Sequence, residues 1–110
     1  MTELESKSIQ DYIKIPLVGN RFQKRKPNKN DNNIVLIKED DNIHDPNAIA
    51  VYSKITENDR QRFDKLGFVI KDKAGFVREN HEKITVYKII RSKNKNKDNL
   101  YYYYLLIIVT

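Results

Sequence analysis

The residues with the clearest chemical potential lie in one polar segment, residues 40–47, which reads Asp-Asp-Asn-Ile-His-Asp-Pro-Asn. Apolar residues lie on both sides, so residues 38–51 are predicted to run from the end of one strand to the beginning of another, with residues 40–47 as the polar turn between them. Asp45 stands before Pro46 and Asn47, an order that favours turns. A carboxylate at such a position either caps its own backbone or accepts a hydrogen bond from a ligand hydroxyl group.

Divalent-metal binding and catalysis are weaker interpretations of this turn. Its potential ligands are Glu39, Asp40, Asp41, His44 and Asp45. They crowd into one turn, and no second carboxylate–lysine cluster completes a two-metal nuclease site. An EF-hand loop is excluded because the required glycine and distal glutamate are missing. His81 stands far from His44 without a metal-ligand spacing. We therefore predict a protein that is not an enzyme, with no catalytic residues, no metal site and no cofactor.

The positive charge of the chain is concentrated in two loops. The net charge is +6 at pH 7, from 21 basic and 15 acidic residues. Residues 20–30 (the first basic loop) and residues 91–97 (the second basic loop) hold nine basic residues and no acid, which leaves 12 basic against 15 acidic residues elsewhere. Two such patches favour a polyanionic partner. The alternative is a Lys- and Asn-rich composition, as an AT-rich genome produces, in solvated loops.

Length and composition favour one small folded domain. The 110 residues include 39% hydrophobic residues and no cysteine, which excludes disulfides and thiolate metal sites. Residues 1–10 do not resemble a signal peptide, and the longest apolar run, residues 100–109, is half the length of a membrane-spanning helix. We expect a flexible N-terminus at residues 1–11 and one β domain at residues 12–110. The protein is expected to be soluble and intracellular, in the cytoplasm or nucleus (or a viral factory if it is viral), not secreted and without a membrane partner.

The hydrophobic pattern predicts a mainly β fold. Six apolar or alternating segments predict strands, at residues 12–18, 34–37, 48–52, 66–70, 83–90 and 100–110, with a short helix within residues 71–80 and a long hairpin loop at residues 53–65. Pro16 has no backbone N–H, so the first strand is expected at a sheet edge or a bulge. The last segment forms strands most strongly and would be a pairing hazard at an edge. These elements predict a small OB-like or SH3-like antiparallel β-barrel of about six strands with one or two short helices.

Three sequence blocks, in order, resemble the HIRAN domain. The first is Val-Gly-Asn-Arg-Phe at residues 18–22, and the second is the polar segment with its Asn-x-x-Asp-x-Asn-Ala-Ile-x-Val pattern at residues 42–51. The third is Leu-Gly-Phe-Val-Ile-Lys at residues 66–71, followed by Ala74. The resemblance implies an OB-like barrel. In fork-remodelling SWI/SNF-type DNA translocases this domain captures the 3′-hydroxyl end of single-stranded DNA, and it also occurs alone in phage, viral and bacterial proteins. This chain has no P-loop, so only end capture carries over.

The resemblance implies a nucleic-acid-binding site made of Arg21, Phe22, Asn42, His44, Asp45, Phe68 and Lys71, with the basic loops supporting it through Lys24, Arg25, Lys26, Lys93 and Lys95. Asp45 would accept a hydrogen bond from the 3′-hydroxyl and repel a 3′-phosphate. Arg21 would hold a phosphate, and Phe22 would stack on a base. Asn42 would read a base edge or form an Asx-turn. Lys71 would hold a phosphate together with the N-terminal amides of the helix.

Three departures from the family pattern motivate alternatives. Gln23 stands where DNA-binding members have a second aromatic residue, His44 replaces an aromatic residue and Phe68 replaces a histidine. The main prediction is binding of single-stranded DNA ends. One alternative is a protein-interaction module, viral or phage in origin, that keeps the barrel but not the DNA-end site, with a protein partner. Another is end-independent binding of RNA or DNA through the basic loops.

Overall fold

The computed structural model describes residues 12–28 and 30–110. The elements in chain order are β1 (Ile13–Val18), a 3-10 turn (Asn20–Phe22), β2 (Ile34–Lys38), β3 (Ile49–Glu57), β4 (Arg60–Val69), α1 (Lys71–Glu79), a second 3-10 turn (His81–Lys83), β5 (Ile84–Arg91) and β6 (Tyr103–Val109). The expected flexible N-terminus at residues 1–11 lies outside the described residues, as does Lys29. None of the helices in the described part of the chain has the length and apolar character needed to cross a membrane.

The six strands form one antiparallel sheet in the order β2-β3-β4-β1-β6-β5. The predicted mainly β fold of six antiparallel strands with a short helix is confirmed. The end strands β2 and β5 approach each other, although no backbone ladder joins them within the described residues. Instead His81 Nε2 donates a hydrogen bond to the Leu36 carbonyl at 2.7 Å. The sheet therefore curls round its core, and a side chain bridges its two edges.

The core lies inside this curled sheet. Its fully buried side chains come from four strands and the helix: Ile15, Ile49, Val51, Leu66, Val77, Leu105 and Ile107. The β1 residues Ile15 and Leu17 alternate with more exposed neighbours, as expected for a strand with one buried face. Ala74 and Val77 of α1 pack into the same cluster. The helix thereby packs an apolar face against the core.

The prediction of a long hairpin loop at residues 53–65 is wrong. Strands β3 and β4 continue through this segment and pair from Tyr52 with Lys65 to Glu57 with Arg60. Only Asn58 and Asp59 connect them, with φ of 51° and 65°. A two-residue turn with φ above zero at both positions matches the right-handed twist of the flanking strands. The polar composition concealed the strands because this ribbon extends into solvent on both faces.

We expect Asp59→Gly to stabilise the fold by about 0.5–1 kcal/mol, since glycine has no Cβ penalty at positive φ, while its greater freedom in the unfolded chain offsets part of the gain. Asp59→Ala keeps the penalty and removes the side-chain polarity, so it should lower stability. Urea unfolding followed by far-UV circular dichroism measures both effects. An Asp59→Gly protein no more stable than Asp59→Ala would contradict the turn geometry.

The first strand, expected at an edge or a bulge, does not lie at a sheet edge, and neither does the last strand, so the conditional pairing hazard does not arise there. Strand β1 lies between β4 and β6, and β6 lies between β1 and β5. Pro16 pairs with Tyr104 of β6, while its carbonyl accepts a hydrogen bond from the Ile70 N–H at 3.1 Å on the opposite side. The nitrogen of Pro16 faces that same side, where the ladder to β4 stops at Leu17. Proline therefore costs no ladder hydrogen bond, and β6 offers no free edge to a partner.

Candidate nucleic-acid interface

The sheet register brings the sequence blocks to one end of the sheet. Ala50 of β3 pairs with Phe68 of β4, and Phe68 pairs with Val18 of β1. Leu17 pairs with Tyr103 of β6, which in turn pairs with Arg91 of β5. We call this end the site end. It carries the β2–β3 turn (residues 39–48), the 3-10 turn after β1, the start of α1 and the β5–β6 loop (residues 92–102).

The side chain of Asn42 is hydrogen-bonded within the β2–β3 turn. Its Oδ1 accepts hydrogen bonds from the N–H groups of His44 at 2.9 Å and Asp45 at 3.0 Å. Its Nδ2 donates to Glu39 Oε1 at 3.1 Å. This is the Asx-turn alternative, and it leaves the amide of Asn42 engaged on both sides. Asn42 therefore shapes the turn instead of presenting a free base-reading group.

Asp45 has one carboxylate oxygen engaged and one without a hydrogen bond from the described residues. Its Oδ1 accepts from the Asn47 N–H at 2.9 Å, and its carbonyl accepts from the Ala48 N–H at 3.0 Å. The side chain is half-buried. No hydrogen bond or ion pair links it to the described residues of the 3-10 turn. Asp45 thus combines the two sequence interpretations: it caps its turn through one oxygen, and the second oxygen can accept from a ligand.

Lys65 and Arg78 brace the β2–β3 turn by ion pairs, although the sequence did not predict them as site residues. Lys65 Nζ lies 2.9 Å from Glu39 Oε2, and this hydrogen bond holds the pKa of the Glu39 carboxyl below its ordinary value. Arg78 donates to Asp40 Oδ1 at 2.6 Å and to the Pro46 carbonyl at 3.1 Å. The buried Nε of Arg78 has no partner among the described residues. Only tertiary contacts identify these braces, because Lys65 fell in a predicted loop.

Phe68 connects the first and third sequence blocks. A Cβ added at Gly19 would lie 3.4 Å from Phe68 Cδ2, which places this ring next to the residue that precedes the 3-10 turn. Lys65 Nζ lies 4.3 Å from the ring centroid, over one face of the half-buried ring. Phe68 therefore acts mainly as packing between β1 and β4 and as a support for Lys65.

Four of the predicted site residues present their side chains to solvent. Arg21, Phe22, His44 and Lys71 are all exposed, and Phe22 keeps 76% of its surface accessible. The Arg21 guanidinium carbon lies 4.8 Å from the Phe22 ring centroid, which places a cation beside a free aromatic face. No side chain caps the first turn of α1, which Lys71 begins. A base and its phosphate can reach these groups.

This chain matches no family model, no curated protein and no solved structure. The relation to the HIRAN domain therefore stays a prediction that rests on the three sequence blocks. The three sequence blocks, up to about 50 residues apart in the chain, lie at the site end on the ends of β1, β3 and β4. Neighbouring strands in a sheet are about 4.8 Å apart.

The acidic residues of the turn are distributed among separate partners. Glu39 pairs with Lys65, Asp40 with Arg78, and Asp45 with its own backbone. Within residues 12–28 and 30–110, no group of three or more His, Asp or Glu side chains is placed to hold a metal ion.

Arg25 belongs to a partly buried ion-pair network and not to the free charge of the first basic loop. Its Nη2 lies 2.8 Å from Asp31 Oδ1, and its Nε lies 2.8 Å from Asp64 Oδ2. Asp31, which is 8% exposed, also accepts from Ser53 Oγ at 2.9 Å and from the Asn28 N–H at 2.7 Å. The hydrogen bond with Asp31 raises the pKa of Arg25 further above its ordinary range. Arg25 therefore ties the loop to β3 and β4.

The other supporting lysines of the two loops, Lys24, Lys26, Lys93 and Lys95, are exposed. They form no ion pair with a described carboxylate. Lys24, with Gln23 and Phe63, lines a cavity of about 690 Å³. Lys93 lines a cavity of about 760 Å³ between the two basic loops. These lysines are available to an anionic partner.

Proposed function

We propose that this protein binds single-stranded DNA without catalysing a reaction and captures 3′-hydroxyl ends on a HIRAN-like domain. The observation that carries the proposal is the second carboxylate oxygen of Asp45, which has no hydrogen bond from the described residues and is held on a turn braced by Lys65 and Arg78. The exposed Arg21 and Phe22 stand on the same end of the sheet. A hydroxyl acceptor, a cation and a stacking face are what a 3′-terminal nucleotide requires.

Each group has a distinct task in this proposal. The Asp45 carboxylate accepts a hydrogen bond from the terminal hydroxyl and repels a terminal phosphate. Arg21 pairs with a phosphodiester, Phe22 and His44 offer stacking faces, and Lys71 adds positive charge at the uncapped start of α1. Asn42 and Phe68 support these groups from within the fold. We propose that the protein acts inside the cell, in the cytoplasm or nucleus, where single-stranded DNA ends arise.

Asp45→Asn provides the sharpest test because the amide oxygen can still cap the Asn47 N–H while the negative charge is lost. We expect the unmodified protein to prefer a 3′-hydroxyl over a 3′-phosphate oligonucleotide by about tenfold, or ~1.4 kcal/mol. Asp45→Asn should reduce this preference to about twofold, mainly because it binds the 3′-phosphate more tightly. Fluorescence anisotropy with a 5′-labelled oligonucleotide at low and moderate salt measures both affinities.

Asp41→Asn is the matched control, since it removes one negative charge from an exposed position in the same turn. It should raise both affinities slightly and leave the preference unchanged. Equal binding of the two oligonucleotides by the unmodified protein would exclude end capture. An equal change of preference in both variants would assign the effect to general charge and not to Asp45.

A protein-interaction module is the second candidate, and one observation favours it. Ile43, at the tip of the β2–β3 turn, is 91% exposed, and Phe22 is 76% exposed. An aliphatic side chain contributes nothing to phosphate binding but suits an apolar pocket on a partner protein. Strand β6 is not available to extend a partner's sheet, because both of its edges are already paired. Absence of oligonucleotide binding at low salt, with a partner captured by the protein but not by Ile43→Asp, would favour this candidate.

A further inference from the structure

The two basic loops, which are remote in sequence, meet around one small cavity. Its volume is about 90 Å³, and it is lined by Asn20, Arg21, Lys26, Lys95, Asn99, Leu100, Tyr101 and Tyr103. The first basic loop supplies Arg21 and Lys26, and the β5–β6 loop supplies Lys95. Cations from two elements therefore converge on one point of the surface.

The charge around this cavity is uncompensated within the described residues. No acidic side chain lines it. Arg21, Lys26 and Lys95 form no ion pair with a described carboxylate. Asp98, the carboxylate of the β5–β6 loop, is exposed and is not among the lining residues. Three positive side chains held together without a counter-charge repel one another, so an anion bound between them would relieve that repulsion.

The loop that carries Lys95 is held in shape by its own hydrogen bonds. Asn96 Oδ1 accepts from the N–H groups of Asp98 at 2.9 Å and Leu100 at 3.0 Å. Ser92 Oγ accepts from the Tyr102 N–H at 3.0 Å and donates to the Asn94 carbonyl at 2.9 Å. Asn-rich composition suggested a solvated loop, but these contacts fix its path. A fixed loop loses less conformational freedom when a ligand binds.

Tyr101 holds one further cation, Arg91, at the rim of the cavity, together with Lys95. The Arg91 guanidinium carbon lies 3.9 Å from the ring centroid of Tyr101, and Lys95 Nζ lies 5.4 Å from it. Tyr101 is half-buried and lines the cavity. Cation–π contacts of this kind hold a guanidinium and an ammonium in place without neutralising their charge. The ring thus acts as a support for positive charge next to the cavity.

The size of the cavity selects the kind of anion. A volume of about 90 Å³ equals roughly three water molecules at about 30 Å³ each. Pockets for whole small molecules are larger, about 300–1,000 Å³. Asn20 and Asn99 also line the cavity, and an asparagine amide can donate hydrogen bonds alongside the three cations. This combination fits one phosphate group, with the remainder of the ligand outside.

We propose that this cavity binds a phosphodiester group of a single-stranded nucleic acid, independently of the strand's end. The cavity lies at the site end, beside the pairing of Leu17 of β1 with Tyr103 of β6, and so two to three strand spacings, ~10–14 Å, from Ala50 at the start of β3. Arg21 lies between the two regions. A strand whose phosphate occupies the cavity can extend towards the turn, but binding here needs neither a free 3′-hydroxyl nor Asp45.

The test uses the full chain and an oligothymidine of about 12 nucleotides whose 3′ end is blocked by a phosphate, so that end capture contributes little. Lys26→Gln and Lys95→Gln should each weaken its binding about fivefold at low salt and reduce the slope of log affinity against log salt by about 0.7. Lys97→Gln is the matched control, because Lys97 is exposed in the same loop and does not line the cavity. It should change affinity by less than about twofold.

The proposal would be overturned by equal losses in Lys97→Gln and Lys95→Gln, by unchanged binding in Lys26→Gln and Lys95→Gln, or by no binding of the blocked oligonucleotide. A titration with inorganic phosphate, monitored by amide correlation NMR spectra, tests whether the cavity binds free phosphate instead of a phosphodiester. Shifts at Asn20 and Asn99 without any effect of the lysine variants on the oligonucleotide would mean a site for free phosphate and would also overturn it. Loss of the 3′-hydroxyl preference alone would contradict end capture and leave this cavity supported.

Discussion

Replacement of Gly67 by alanine is expected to lower the free energy of unfolding by about 3–4 kcal/mol. Gly67 has a φ of 150°, which side-chain-bearing residues rarely adopt, and a Cβ there would lie 2.4 Å from the Val18 carbonyl oxygen. The same Cβ would lie 3.2 Å from Leu17 Cδ1 and 3.3 Å from the Asn20 backbone nitrogen. Backbone atoms of two elements would have to move. Because those elements are the end of β1 and the 3-10 turn, the substitution should also displace Arg21 and Phe22.

Gly75→Ala is the matched control for this prediction. Gly75 lies inside α1, and a Cβ added there would have no neighbouring atom within 4 Å, so alanine fits without a clash. Alanine favours a helix over glycine by about 0.5–1 kcal/mol, and the variant should be more stable than the unmodified protein. Urea unfolding monitored by far-UV circular dichroism suits both variants, since the chain has no tryptophan. Losses of similar size in the two variants would contradict the predicted close approach at Gly67.

Asp31→Asn is expected to lower the free energy of unfolding by about 3 kcal/mol, because it removes the charge of a buried carboxylate and replaces one acceptor oxygen by an NH₂ group. The Arg25 guanidinium would keep Asp64 but face an amide in place of Asp31. Ser53, which is 2% exposed, would lose a charged acceptor. Asp98→Asn, at an exposed position, should change stability by less than about 0.5 kcal/mol. A loss in Asp31→Asn no larger than in Asp98→Asn would show that the network contributes nothing.

The same network predicts how stability depends on pH. Burial raises the pKa of Asp31, but the hydrogen bonds from Arg25, Asn28 and Ser53 outweigh burial and bring the pKa below the ordinary value of 3.8. Hydrogen bonds from Arg62 and then Arg25 lower the pKa of Asp64 as well. A carboxyl with a lowered folded-state pKa stabilises the fold fully above its unfolded value, and this contribution is lost as pH falls through the folded value. Unfolding curves from neutral pH down to acid should show this loss, and Asp31→Asn should flatten it.

Much of the fold could be predicted from the sequence because its strands are short apolar runs rich in β-branched residues or carry a period-two pattern. Ile34 to Ile37, Ala48 to Tyr52 and Ile84 to Ile90 were recognisable as strands, and the helix after Ile70 followed from its spacing of apolar residues. The β3–β4 ribbon could not be recognised in full, because both faces of its outer part are polar. In the sequence, the Asn58-Asp59 pair indicated the position of the turn, but this pair is compatible with a longer loop as well as with a two-residue turn.

The candidate site was predictable in its residue types but not in the state of each side chain. The sequence left open whether Asn42 and Asp45 cap their own turn or face a ligand, since both residues do either. The structure assigns Asn42 to the turn and leaves one oxygen of Asp45 without a hydrogen bond from the described residues. Lys65 and Arg78 entered the site only through contacts with residues 26 and 38 positions away.

The sequence by itself determined that this protein is a small, mainly β domain with a polar turn between two strands and positive charge in two loops. Local composition and periodicity carry that information directly. Tertiary structure alone decided which strands lie inside the sheet, that Arg25 is neutralised by Asp31 and Asp64, and that Lys26 and Lys95 share one cavity. These features depend on the pairing of distant segments. The polar turn is therefore one part of a longer surface, which runs along the ends of the strands to the β5–β6 loop.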